Sequence, residues 1–276
     1  MRSAIKNIIK LIIPRSYIPV KYLEEPPIYG RPDSKDIKMF KNIHLGKRCF
    51  ILGNGPSLNQ VDFSLLEDEI TFGFNGLFYM TDINGFSPSY YMVEDKAVIK
   101  DNLIRINDYN VGVSFFPTHY KDVLKKKDNR HFFKLNVGFY RNESPFFEQP
   151  RFSKDFSERA YAGQSVTMIA LQLAYYMGFT EVYLLGMDFD YKIPDDARID
   201  GDEIISSSND LNHFHPDYFG KGKTWHDPKL NNVLASYRHH QLIYEHDHRK
   251  ILNATKGGKL EVFERVNFDD IFKKQA

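Results

Sequence analysis

Apolar residues along this chain fall into short runs, each closed by polar or glycine-rich residues. Segments 48–52, 70–74, 90–93, 111–116, 132–137 and 181–186 are such runs, and they predict buried strands. A different period governs 160–180, a stretch without charge. There Val166, Ile169, Ala170, Leu173 and Met177 recur at helical spacing, and Gly178 suits a C-terminal cap. Gln164, Ser165, Thr167 and Gln172 make this a buried helix rather than a membrane span. A second helix is expected over about 229–249, its His239, His240, His246 and His248 on a solvated, charge-rich face. Then come a last strand and glycine turn at 251–260, with Asn253 and Thr255 bordering any site, and a closing segment at 263–272. Helix-to-strand alternation predicts an α/β protein: a Rossmann-like, mostly parallel sheet flanked by helices.

The amino terminus is patterned differently. Ile5, Ile8, Ile9, Ile12 and Ile13 repeat at helical spacing, with Lys6 and Lys10 on another face, and Pro14 stops the pattern. Residues 1–23 also hold Arg2, Arg15 and Lys21 and no acid. The lysines interrupt the apolar run too early for a membrane span, and no small-residue cleavage site follows, so a signal peptide is not expected. The pattern predicts a basic amphipathic helix over 1–14 lying on an anionic membrane surface, with packing on its own domain as the alternative. Proline-rich residues up to 35 read as a linker, which leaves 36–276 as one catalytic domain.

Composition narrows the function. The 276 residues carry 37 basic and 36 acidic side chains, a balance unlike that of a nucleic-acid binder working by bulk charge. A lone cysteine, Cys49, rules out a disulfide scaffold and suits a reducing compartment, so a cytoplasmic protein on the inner face of the membrane is expected. A homo-oligomer is left open.

Chemistry concentrates after the strands. The first runs directly into Gly53-Asn54-Gly55-Pro56-Ser57-Leu58; the glycines permit a tight turn and close backbone approach, and Pro56 or Ser57 suits a helix start. Strand, glycine turn and helix N-terminus together predict a phosphate or nucleotide site. Asn75 follows the second strand and Glu94 and Asp95 the third, where ligands of open α/β sheets bind.

Segments 51–58, 72–79 and 165–189 resemble the bacterial sialyltransferases of glycosyltransferase family 42. They equally resemble a broader superfamily that includes archaeal 6-hydroxymethylpterin diphosphokinases and flagellin-modifying glycosyltransferases. The resemblance spans roughly 46–190. It implies that Asn54 and Asn75 contact the CMP part of a donor, and that 159–165, with Gly163 and Ser165, adds donor contacts. The third-strand Asn of the sialyltransferases is here Glu94 or Asp95. Their donor-covering loop, whose tyrosines touch phosphate and whose histidine is the general base, corresponds to about 190–230. That lid-like loop offers Tyr218 with His213, His215 or His226. The simplest alignment places Lys221 at the base, although histidine, with an unperturbed pKa of ~6.5 against ~10.4 for lysine, is better suited near neutrality.

Asp188-x-Asp190 and His213-x-His215 invite a divalent metal, Mg²⁺ or Mn²⁺, as the alternative to a cofactor-free reaction. The expected function is transfer of a sugar, sialic acid or a related acid sugar, from a CMP-linked donor to a cell-surface or lipid-linked glycan. Gly53, Asn54, Gly55, Ser57, Asn75, Glu94, Gly163, Ser165, Asp188 and Tyr218 would hold the nucleotide. The rivals are a Mg²⁺-dependent pterin diphosphokinase and a non-catalytic nucleotide-binding member of a glycan assembly complex.

Overall fold

The structure is a computed structural model, and it describes residues 34–193, 197–200 and 203–273. The amphipathic helix expected over 1–14 and nearly all of the linker lie outside the described residues. In chain order the elements are α1 (Ser34–Lys38), β1 (Arg48–Leu52), β2 (Thr71–Phe74), α2 (Phe78–Asn84), β3 (Tyr90–Met92), α3 (Lys96–Asp101), α4 (Leu103–Asp108), β4 (Val113–Pro117), β5 (Arg130–Phe133), β6 (Leu135–Asn136), β7 (Ala160–Tyr161), α5 (Val166–Met177), β8 (Glu181–Leu185), β9 (Arg198–Asp200), β10 (Glu203–Ile205), β11 (Thr224–His226), α6 (Leu230–His246), β12 (Lys250–Asn253) and β13 (Glu264–Arg265).

Eight strands form one sheet in the order β13-β12-β8-β1-β2-β3-β4-β5, and every pairing in it is parallel. Side-chain alternation explains why its strands are apolar throughout. Cys49 and Ile51 of β1, with Val182 and Leu184 of β8, face a core built with α5 and α6. Phe50 and Leu52, with Tyr183 and Leu185, face the opposite core, which Leu58, Leu77, Phe214 and Phe268 complete. The closing segment contributes here, since Phe272 stacks on Phe50 at 5.7 Å. Because β2–β5 extend the sheet on one side of β1 and β8, β12 and β13 on the other, the direction of winding reverses at β1. In such a sheet the crevice opens at the carboxyl ends of the strands beside the switch.

Three expectations are corrected. No α-helix follows the glycine loop: Pro56–Gln60 is a single 3₁₀ stretch, cut short because Asp62 caps a second one by accepting from Ser64 N at 3.0 Å. The run 132–137 is split, since Lys134 O and Asn136 O accept from Ala160 N and Ala162 N, which draws β6 away to pair with β7. The expected loop of 190–230 carries its own antiparallel sheet, β11-β10-β9. Among the described residues no helix is long and apolar enough to cross a membrane.

The histidine face of α6 is also not uniformly solvated. His240 is fully buried between α6 and α5, with Nδ1 2.8 Å from Ser236 O and Nε2 3.2 Å from Met168 O. Burial outweighs these carbonyls and lowers its pKa from 6.5 to about 4. The unfolded chain therefore takes up a proton below pH 6.5 that the folded protein refuses until about pH 4. Stability present above pH 6.5 is lost as the pH falls through this window, by about 2 kcal/mol between pH 7 and 5. Urea unfolding should show this loss in the wild type, and His240→Gln should lack most of it.

Candidate functional site

At the carboxyl ends of β1 and β8 two loops meet closely. Gly53 N donates to Leu185 O at 2.7 Å and Gly55 N to Gly186 O at 2.9 Å. A Cβ on Gly53 would overlap the Gly186 carbonyl, and one on Gly55 would overlap the Asp188 carboxylate. The glycines are thus required by the neighbouring loop, a reason the sequence does not display. Asp188 accepts from Ser57 Oγ at 2.7 Å and from Ser57 N at 3.3 Å, which locks the 3₁₀ turn to the end of β8. Behind this junction, Thr255 Oγ1 accepts from Met187 N at 3.1 Å, and Asn253 Nδ2 donates to Leu260 O at 2.8 Å. Both residues are buried and support the site rather than border it.

In front of the junction lies a cavity of about 590 Å³ along the carboxyl ends of β1–β4 and β8. Of the residues expected to bind nucleotide, Gly53, Asn54, Gly55, Asn75, Glu94, Ser165, Asp188 and Tyr218 line it, while Ser57 and Gly163 do not. Ser57 is spent on Asp188. Gly163 is spent on packing, since a Cβ there would meet Met168 at 3.0 Å. Asn54 and Asn75 each bring a buried amide oxygen with no protein hydrogen-bond partner, the condition a ligand donor would relieve.

The wall of the cavity is segment 210–220, which is tied down. Phe214 N donates to Asn54 O at 2.9 Å and Asn59 Nδ2 to Phe214 O at 2.9 Å. The three candidate histidines diverge here. His213 is buried, with Nδ1 2.7 Å from Asp210 Oδ2 and Nε2 2.9 Å from the Tyr191 hydroxyl, and its ring stacks on Tyr218 at 4.0 Å. Burial opposes ionisation of Asp210, but the hydrogen bonds from His213 and from the N–H groups of Asn212 and Phe219 outweigh it and hold its pKa below the usual value. Both nitrogens of His213 are therefore engaged within the wall. His215 stacks on Tyr79 at 4.3 Å and does not line the cavity, and neither does Lys221. His226, at the end of β11, is exposed and lines it. Tyr218 reaches the cavity because Gly76 leaves room: a Cβ there would come within 2.5 Å of its ring.

Charge is distributed unusually. Glu94, Asp95, Glu148, Asp188, Asp190 and Asp227 line the cavity against Lys96 and Lys229, with no arginine among the described residues that line it. Most of these acids are engaged one by one. Asp95 caps α3 by accepting from Ala97 N and Val98 N at 2.6 and 3.0 Å, and Asp190 pairs with Lys259 at 2.7 Å. Glu148 lies 3.8 Å from Lys229 Nζ, and Asp227 accepts from Lys229 N at 3.0 Å. Asp188 and Asp190 thus have separate partners in Ser57 and Lys259, and no group of three metal-ligating side chains is gathered among the described residues. The remaining polar lining is mostly neutral: the asparagines, Gln164, Ser165, Thr167 and the phenols Tyr120, Tyr140, Tyr191, Tyr218 and Tyr237.

The backbone is strained around the same cavity. Seven non-glycine residues among those described have left-handed φ, and five of them line it: Asn75 (47°), Glu148 (53°), Gln164 (72°), Phe189 (53°) and Lys229 (42°). Such conformations cluster at ligand sites. Gln164, within the expected 159–165 segment, lines the cavity, whereas sequence reasoning missed His119, Tyr120, Tyr140, Tyr191 and Tyr237; of these, a polar residue following a strand could have flagged His119.

Compared with known proteins, the chain matches the profile of the family described as 6-hydroxymethylpterin diphosphokinase MptE-like over residues 27–194. It has no significant match among curated proteins. Among solved structures it is similar to the MAf glycosyltransferase from Magnetospirillum magneticum AMB-1, with a TM-score of 0.48 at 15% identity, over 85% of this chain and 38% of that one. The chain thus spans well under half of that protein. It is also similar to the sialyltransferase CstII from Campylobacter jejuni in complex with cytidine-5'-monophosphate, with a TM-score of 0.44 at 15% identity, over 80% of this chain and 85% of that one.

Glu94 provides a test of the site's electrostatics. Burial, reinforced by Asp95, raises its pKa from 4.5 to about 7. Its ionisation is thus more costly in the folded state: stability is fully present below pH 4.5 and is lost as pH rises through 7. Glu94→Gln should leave the melting temperature unchanged at pH 4 and raise it at pH 8; an equal effect at both would show that Glu94 ionises normally.

Proposed function

The chain belongs to the 6-hydroxymethylpterin diphosphokinase MptE-like family, and within it we propose that this chain is a glycosyltransferase using a nucleoside-monophosphate donor of the CMP-sugar type. The observation that carries this reading is the lining of the cavity: unpartnered asparagine oxygens and neutral phenols and amides, with most of the nearby carboxylates individually engaged. A diphosphate brings more negative charge into such surroundings than a monophosphate, and it calls for a metal to neutralise it. Asn54 and Asn75 would accept from the nucleotide base or ribose. The phosphate would accept from the phenols of the wall.

The reaction is a single displacement. A base removes the proton of the acceptor hydroxyl, whose oxygen attacks the anomeric carbon, and the bond to the phosphate oxygen breaks. Of the three histidines, His226 is the base: it lines the cavity and stands exposed at its rim, where an acceptor can reach it, whereas His213 is buried against Asp210 and Tyr191 and His215 lies off the cavity. His213 acts by holding Tyr218. The acceptor is a glycan. The second reading is Mg²⁺-dependent diphosphoryl transfer to a pterin, which family membership favours.

Two outcomes are expected. CMP should raise the melting temperature, and Asn54→Ala should weaken CMP binding by about 1 kcal/mol, roughly fivefold, in calorimetry. An unchanged affinity would remove Asn54 from the site. Turnover should survive EDTA and tolerate Asp190→Asn, while His226→Ala should lower kcat by ~10²–10⁴ and His215→Ala and Lys221→Ala should not. Activity abolished by EDTA and restored by Mg²⁺ would replace this reading with the diphosphokinase one.

A further inference from the structure

The segment leading into β1 carries a surface that neither the cavity nor the core uses. Asn42 N, His44 N and Gly46 N donate to the carbonyls of Tyr176, Met177 and Gly178 at 3.0, 2.9 and 3.0 Å, which fastens the segment to the C-terminal end of α5. His44 turns inward, stacking on Phe179 at 4.8 Å and lying 2.6 Å from the Tyr90 hydroxyl. The side chains between these anchors turn outward. Ile43 and Leu45 are 42% and 69% exposed, and Met39 on the preceding turn is 63% exposed. Lys38, Lys41 and Lys47 are exposed beside them, and no acid occurs between Asp36 and Asp62.

We infer that this collar, residues 38–47, is an anionic-membrane contact in which Met39, Ile43 and Leu45 enter the head-group region while the three lysines meet lipid phosphates. Basic residues flanking a small apolar patch are the composition that binds anionic bilayers. An interface between copies of the chain would instead deplete lysine around its apolar centre. Farther upstream, residues 1–23 carry the same sign of charge, with Arg2, Lys6, Lys10, Arg15 and Lys21 and no acid, while 24–36 between them and the collar hold Glu24, Glu25, Asp33 and Asp36 against Arg31 and Lys35. The backbone staples make the collar a rigid footing, so it fixes orientation as well as affinity.

That orientation has a functional corollary, which rests on the transferase reading. The collar runs into the amino end of β1 and packs just before that of β8, whereas the cavity opens at their carboxyl ends. Strands of this length span ~15 Å at ~3.3 Å per residue. The cavity therefore faces away from the bilayer, and its acceptor is the outer end of a glycan that stands off the membrane or is free in solution.

The test uses the full chain. Cys49 is buried, so Leu45→Cys can be labelled selectively with an environment-sensitive fluorophore, with Leu242→Cys as the exposed control on α6. Vesicles of phosphatidylglycerol and phosphatidylcholine should blue-shift the label at 45 and leave that at 242 unchanged, and pure phosphatidylcholine should do neither. Each of Lys38, Lys41 and Lys47 replaced by Ala should lower vesicle partitioning about fivefold. Ile43→Glu with Leu45→Glu should lower it further without changing the melting temperature. Unchanged partitioning of that double variant, or a blue shift that follows protein concentration without vesicles, would overturn the inference, the latter in favour of a second copy of the chain. CMP binding measured on the same variants should be intact. Absence of CMP binding in the wild type and variants alike would count against the transferase reading and leave the vesicle result standing.

Discussion

Everything in this fold that concerns ligands depends on how closely the carboxyl ends of β1 and β8 approach. The two loops leaving them touch through Gly53, Gly55 and Gly186, and the Asp188–Ser57 hydrogen bonds close the junction. Glycine at 53 and 55 is obligatory because the place of each side chain is already filled by protein. With the junction fixed, Asn54 is held in the cavity lining and its carbonyl anchors Phe214, which in turn sets the wall that carries His213 and Tyr218.

The sheet was legible in the sequence because its strands are buried on both faces, so runs of apolar residues mark them without ambiguity of period. α5 was legible for the related reason that its spacing is helical and its ends carry Ser165, which accepts from Thr167 N, and Gly178 at φ 94°. Signals depending on distant partners were not legible. His240, pinned between two carbonyls, shares the helical stripe of Val233, Tyr237 and Tyr244, but its run of neighbouring histidines hid it beside the exposed His246. Segment 132–137 reads as one strand because the competing donors for its backbone carbonyls lie at 160–162. The candidate site was legible where it follows strands, at Asn54, Asn75 and Glu94, and opaque where loops fold back, as for Tyr140.

The wall also shows how one residue type can occupy three different chemical situations within a short segment. Asp210 and Tyr191 consume both nitrogens of His213, Tyr79 covers one face of His215, and His226 reaches the cavity rim. Their spacing in sequence does not separate them; the paths of β10 and β11 do. The carboxylates follow the same logic, since capping, ion pairing and the Ser57 lock distribute acids that a motif alone would group.

Strand order also sets a timetable. Arg48 of β1 pairs with Glu181 of β8, about 130 residues later in the chain. At ~5–20 residues per second, synthesis leaves that edge of β1 unpaired for on the order of 10 seconds, during which only the β2–β5 side of the sheet can assemble. An apolar, parallel-type strand with one open edge is a template for wrong pairings. The nascent chain is therefore most vulnerable in the interval that ends when β8 emerges, and a burden on chaperones at that stage follows from the topology alone.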